Sequence, residues 1–264
     1  MPDAPRPPVN EVVHSVALAR QTALSGPQLP SIMGDWFTQH SRVETAPPYE
    51  ILPETADLFA PLQPPRVQLL TQPLPRYWLI SADEQEVVQA QPDYLALNWR
   101  RRGDTSEYRG YEVMRSRFLD LLETVQTGLS DHQGVLKPTR AELTYINVIH
   151  PGNLWSSHGD THKLINVKIP ADASYEQLGF SYSQRLIGPQ EDEFIGRLHV
   201  TLTPTVDWVK REPQLIMNLT ARSADLAPQN IEQTLKFMDL AHTAIDRSFF
   251  NLISAEARSA WGLK

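Results

Sequence analysis

The sequence predicts an α+β protein made of two similar halves, each a curved antiparallel sheet backed by a long helix. Short β-type runs follow one another too closely for helical crossovers between them, which makes them antiparallel neighbours. Two long amphipathic helical patterns each close a group of such runs. The order of elements then repeats along the chain.

The first run, "NEVVHSVALA" from Asn10 to Ala19, alternates with Val12, His14, Val16 and Leu18 on one side, the pattern of a half-buried strand. "PSIMGDWFTQHS" places Ile32, Met33, Trp36 and Phe37 at helical spacing, with Ser31 positioned to cap. Proline-rich connections follow, and then four strand runs: "RVQLLT" (Arg66 to Thr71), "RYWLIS", "QEVVQAQ" and "YLALNWRRR". "ADEQ" and "PD" supply turns between the later ones. From Glu107 to about Gln126, Tyr111, Met114, Phe118, Leu121, Leu122 and Val125 form the apolar stripe of a long helix. Thr105 or Ser106 is expected to cap it.

The second half opens with the strand "ELTYINVIH" and a short helix or loop, "SSHGDTHKLI". The strands "GFSYSQRLI", "GRLHVTLTPTV" and "QLIMNLTARS" follow, and then the long helix "NIEQTLKFMDLAHTAIDRSFFNLI". "LALNWRRR" can be laid on "LIMNLTAR", "FLDLL" on "FMDLA", and the opening strands share Glu11 and Glu142, all in the same order. We therefore divide the chain into halves at 1–134 and 135–264 that form one compact, pseudo-duplicated unit. TATA-binding-protein-like and Bet v 1-like folds are the architectural analogies, and they carry no function with them.

A formal charge of −7, from 31 acidic against 24 basic residues, disfavours a general nucleic-acid binder. The absence of cysteine removes disulfides and thiolate metal sites. "MPDAPRPPVNEVV" lacks the basic and apolar regions of a signal peptide, and no apolar run reaches membrane-spanning length. These features fit a cytoplasmic protein with no membrane association.

Three constellations could carry chemistry. In "HPGNLWSSHGDTHK", His158, Asp160 and His162 would share one face of a strand and could hold a divalent metal. On a helix the two histidines would face together without Asp160, and a third ligand such as His150 or His199 would be needed. Gly159 argues against a strand, and serines followed by Asp160 suit a helix start, so the bland reading is a connector. Asp239, His242 and Asp246 lie near one stripe of the last long helix, where they could orient a base or simply border the core. In "NWRRRGDTSEYRGYEVMRSR", six arginines (Arg100, Arg101, Arg102, Arg109, Arg115 and Arg117) are interleaved with Trp99, Tyr108 and Tyr111. That mixture suits phosphate contact and base stacking, and equally a protein interface. Alternation sends Arg100 and Arg102 to one face and Arg101 to the other. There is no phosphate loop, dinucleotide fingerprint or Gly-x-Ser-x-Gly motif.

The ordered set "PPVNEVV", "RYWLIS", "QAQPDYLALNWRR", "ELTYINVI", "GRLHVTLTP", "LTARS" and the closing "WG" resembles an uncharacterised bacterial protein family, sporadically distributed among genomes and of about this length. The resemblance implies a bacterial cytoplasmic protein. Its patchy distribution is that of accessory genes such as antiviral defence or toxin–antitoxin components, and it implies nothing about activity.

The expectation is a non-catalytic binding or interaction protein without a cofactor. Its partners would be proteins first, further copies of itself included, and a small ligand second. Contact is expected at Trp78, Trp99, Arg100, Arg102, Arg109 and Tyr145. The alternatives are a metal-dependent hydrolase or nuclease using His158, Asp160 and His162, and nucleic-acid or nucleotide binding through the arginine–aromatic cluster.

Overall fold

The computed structural model describes residues 7–57, 74–103, 106–152, 154–168, 176–190, 192–225 and 227–263. The chain opens with β1 (Val9–Leu18), α1 (Leu29–Met33) and α2 (Asp35–Gln39). Strands β2 (Arg42–Ala46), β3 (Arg76–Ile80), β4 (Glu86–Gln91) and β5 (Tyr94–Arg100) lead to the long α3 (Tyr111–Asp131). After it come β6 (Pro138–Ile149), α4 (Thr161–Leu164), β7 (Phe180–Ile187), β8 (Phe194–Asp207) and β9 (Glu212–Ser223). α5 (Ile231–Leu252) and α6 (Ala255–Ala260) complete the order. Among the described residues, no helix is long and apolar enough to cross a membrane.

The nine strands of the described residues join in one continuous antiparallel open sheet in the order β2-β3-β4-β5-β1-β6-β9-β8-β7. β1 and β6 form the centre, with Val12 opposite Tyr145 and His14 opposite Leu143. Side chains alternate across the sheet, so the register fixes two faces. One carries Val12, His14 and Val16 of β1, Leu95, Leu97 and Trp99 of β5, Leu143 and Tyr145 of β6, and Met217 and Leu219 of β9. α3 packs there with Phe118, Leu121, Leu122 and Val125, and α5 with Met238, Ala241 and Ile245, all buried in a single core. These are the apolar stripes that the helical periodicity requires.

The opposite face is polar, with Asn98, Gln89, Glu142, Arg197 and Arg222 on it. Residues 47–57 pass across it. The Tyr49 amide donates to Gln91 Oε1 at 2.8 Å, and the Tyr49 ring packs on Tyr94 with centroids 4.6 Å apart. Further along, Glu54 is 3% exposed and its carboxylate meets Arg197, His199 and Arg222 of β8 and β9. A buried carboxylate survives only where such partners replace its lost hydration.

Several local expectations need correction. The early helix is broken into α1 and α2 at Gly34, whose φ of 52° lies in the region that glycine adopts without strain. Ser31 is not its cap: it lies inside α1 and its hydroxyl donates to the Gln28 carbonyl. The long helix α3 starts at Tyr111 rather than Glu107, because Gly110 with φ 90° interrupts the helical path just before it. Ser106 therefore does not cap it and instead donates to Gln85 Oε1 at 2.8 Å. The run at Arg66 to Thr71 and the alternative cap Thr105 lie outside the described residues. β2, an exposed edge strand with Arg42 and Glu44, was not read from the sequence, since it is exposed along nearly its whole length and has no buried face to pattern.

One close approach is testable. A Cβ on Gly128 of α3 would stand 2.4 Å from the Ile32 carbonyl oxygen and 2.6 Å from its Cα, both backbone atoms of α1. Gly128→Ala is expected to destabilise the protein by about 1–3 kcal/mol through this clash, despite an intrinsic helix gain of roughly 1 kcal/mol. Urea denaturation would show it, and an unchanged or raised midpoint would mean that α1 shifts freely away from α3.

Candidate ligand cavity and its polar wall

Between the helix-facing side of the sheet and the second half of α5 lies a cavity of about 410 Å³. Its apolar lining comes from Val9, Leu219, Ile245, Phe249, Phe250 and Leu263, contributed by β1, β9, α5 and the residues after α6. Tyr108, Tyr145, Asn147 and Asp246 give it a polar wall, and Pro7, Pro8, Arg101, Ser106 and Glu107 complete the rim. The volume and the mixture of apolar walls with a few convergent polar groups are those of a small-molecule site.

The polar wall is a continuous chain. Tyr108 and Tyr145 share a hydroxyl–hydroxyl bond of 3.1 Å, and the Tyr145 hydroxyl lies 3.2 Å from His242 Nδ1. His242 Nε2 is 3.5 Å from Asp246 Oδ2, one turn along α5. The His242 ring stacks on Tyr111 with centroids 3.9 Å apart and an interplanar angle of 13°. Tyr111 in turn donates to Asp239 Oδ1 at 2.7 Å, and Arg115 grips the same carboxylate with Nε at 2.6 Å and Nη2 at 2.9 Å. Asp239, His242 and Asp246, spaced along one stripe, thus tie α5 to α3 and to the sheet.

Electrostatics follow from burial. Burial pushes the Tyr108 phenol up to about 12 and raises those of Tyr111 and Tyr145 further. The hydroxyls stay protonated at neutral pH, which suits hydrogen bonding and not nucleophilic attack. Burial also raises the Asp246 carboxyl, opposed by the nearby His242. Burial would raise Asp239 as well, but hydrogen bonds from Arg115 and Tyr111 hold it below the ordinary carboxylate range.

The six residues expected to make contact do not form one surface. Tyr145 lines the cavity, and Trp99, 1% exposed, packs behind it against Tyr108 with centroids 5.1 Å apart. Arg100 and Arg102 both turn to Glu84, by Nε to its carbonyl at 2.9 Å and by Nε to its carboxylate at 3.6 Å. Arg101 points elsewhere, donating to the Pro7 carbonyl at 3.0 Å. Arg109 lines a separate recess with Asp83, Glu86 and Arg117. Trp78 is on the opposite face of the sheet, with the Arg76 guanidinium 5.4 Å from its ring.

His158, Asp160 and His162 lie in a 3-10 turn (His158–Asp160) that runs into α4, not in a strand. Asp160 acts as the capping carboxylate of that turn. It accepts from the Ser156 and Ser157 amides at 3.1 and 3.2 Å, from Ser156 Oγ at 2.9 Å and from Lys163 Nζ at 2.7 Å. These contacts hold its carboxyl well below the usual range. His162 Nδ1 bonds the Gly159 carbonyl at 2.8 Å, and His158 packs edge-on against the buried Trp155. His199 is engaged with Glu54 at 2.6 Å. Among the described residues, no group of three or more His, Asp or Glu side chains is arranged to hold a metal ion.

Sequence reading missed Asn147, Phe249, Phe250 and Leu263. The first hides in a strand pattern that β9 completes, and the phenylalanines look like ordinary stripe residues of α5. The usable clue was Asp239-His242-Asp246, whose polar stripe sits beside the apolar one. In comparisons with protein-family models, curated proteins and solved structures, the chain matches none.

Proposed function

We propose that this protein is a non-catalytic binding module that holds a small, largely apolar ligand between its sheet and α5. The observation that carries the reading is the cavity itself: about 410 Å³ with six apolar walls and a hydrogen-bonded polar side. The Tyr108 and Tyr145 hydroxyls and the His242 imidazole of that side are bonded to one another, as in a positioning wall. We further infer the internal duplication and the family membership expected from the sequence. The strand order outward from β1 and β6 supports the former: β5, β4, β3 on one side and β9, β8, β7 on the other. Asn98 and Asn218, matched in the sequence alignment of the halves, sit on the same sheet face in the strands flanking the central pair.

A protein partner is the second reading, favoured by one observation: at the β8–β9 hairpin end, Trp208 is 83% and Val209 94% exposed. The arginine–aromatic reading has less support, because Arg100 and Arg102 are already turned to Glu84.

Titration with the neutral fluorophore N-phenyl-1-naphthylamine tests the cavity. Saturable binding is expected, weakened about tenfold or more by Leu263→Trp, which places extra volume against the ligand at the edge of the core. Equal affinity in the variant would reject the cavity as the site.

A further inference from the structure

Resting on the cavity reading above, we propose that the ligand is an organic cation, an ammonium carried on an apolar body, with Asp246 as its counter-ion. The argument starts from the direction of the hydrogen bonds in the polar wall. Asp246 Oδ2 lies 3.5 Å from His242 Nε2, and an ionised carboxylate can only accept, so this pairing favours the His242 proton on Nε2. His242 Nδ1 then accepts, and the Tyr145 hydroxyl donates to it across 3.2 Å. With its proton used there, Tyr145 accepts from Tyr108 across 3.1 Å. In that tautomer the Tyr108 and Tyr145 hydroxyls both donate along the wall toward His242 and Asp246.

What remains for a ligand is mainly a set of acceptors. Tyr108 keeps lone pairs on its oxygen, and Asp246 keeps its second carboxylate oxygen. Asn147 donates one amide hydrogen to the Met217 carbonyl at 3.2 Å and keeps its side-chain oxygen and a second N–H. A ligand that brings only acceptors would meet a single wall donor, the second Asn147 N–H, whereas an ammonium brings up to three donors to the oxygens of Tyr108, Asp246 and Asn147.

Charge and walls point the same way. The lining contains two carboxylates, Glu107 and Asp246, and one cation, Arg101, whose guanidinium is held on the Pro7 carbonyl. Glu107 is exposed at the rim, while Asp246 sits half-buried beside the apolar surface of Ile245 and Phe249. Tyr108, Tyr145, Phe249 and Phe250 supply aromatic rings within the same lining, the surroundings that attract a cation to ring faces.

Isothermal titration with three probes of one shape tests this at pH 7: 4-phenylbutylammonium, 4-phenylbutanol and 4-phenylbutyrate. The ammonium is expected to bind about tenfold tighter than the alcohol, with the carboxylate weakest. Asp246→Asn should bring the ammonium to within about twofold of the alcohol measured on the same variant. Glu107→Gln should keep most of the preference. A carboxylate that binds as tightly as the ammonium, or a cation preference that survives Asp246→Asn, would overturn the proposal and leave the cavity reading standing. Failure of all three probes, the neutral alcohol included, would remove the cavity as a ligand site and this proposal with it.

Discussion

Glu54→Ala is expected to destabilise the fold by about 3–5 kcal/mol, the range seen when one partner of a buried ion pair is deleted. The Glu54 carboxylate, 3% exposed, is bonded to Arg197 Nη1, and lies 2.6 Å from His199 Nε2 and 3.4 Å from Arg222 Nη1. Burial alone would raise its pKa, but the His199 bond and the charges of His199, Arg197 and Arg222 hold it below the ordinary glutamate value. Alanine would strand Arg197, itself 4% exposed, in a site built for an anion. It would also loosen residues 47–57, since two hydrogen bonds depend on that docking: the Glu54 amide to the Asp225 carboxylate, and the Asp225 amide to the Glu54 carbonyl. Asp225 in turn pairs with the buried Arg140 at 2.8 Å, so the effect spreads to β6. Glu54→Gln keeps the shape and removes the charge, and should fall between wild type and alanine. Thermal and urea denaturation read the outcome: a loss of about 3–5 kcal/mol corresponds to roughly 6–20 °C in melting temperature for a chain of this size. A change below about 1 kcal/mol would show that the segment contributes no clamp.

The second large effect concerns His14, at the centre of the core. It is fully buried between the Tyr111 and Phe118 rings, and neither ring nitrogen has a hydrogen-bonding partner among the described residues. Burial, with smaller contributions from His242 and Arg115, lowers its pKa from 6.5 to about 3. The unfolded chain therefore takes up a proton between those values that the folded chain refuses. The folded state has its full advantage above pH 6.5 and loses it as pH falls toward 3, by up to about 1.4 kcal/mol per pH unit. His14→Leu replaces the ring with an apolar side chain and removes the titrating group. It should gain about 1–3 kcal/mol at pH 7 by deleting unpaired polar atoms, and its stability should fall less steeply between pH 6.5 and 4. Urea midpoints at several pH values compare the two proteins. Parallel pH profiles would mean that His14 titrates normally.

The conserved physics of periodicity explains how much could be read in advance. Alternation in Val12, His14, Val16 and Leu18 marked β1, and the spacing of Phe118, Leu121, Leu122 and Val125 marked α3. In both cases the side chains that face the core repeat with the period of the element itself. Short edge strands such as β2 escape this logic, because an exposed strand has no buried face to pattern. The helix start at Tyr111 escaped it too, since it depends on the φ of Gly110 and not on hydrophobicity.

The sequence by itself determined the α+β class, the order of most strands and of the two long helices, and the apolar stripes of both long helices. Those properties are local: they depend on residues a few positions apart. Only the tertiary structure decided that β1 pairs with β6 to make one continuous sheet, that Glu54 crosses to Arg197, and that Tyr108, Tyr145, His242 and Asp246 meet. Each of these joins residues separated by long stretches of chain, and a side chain's pattern shows that it will be buried or paired without showing against what. The cavity belongs to the same class, for its walls come from β1, β6, β9, α5 and the final residues, and no one of these segments carries its outline.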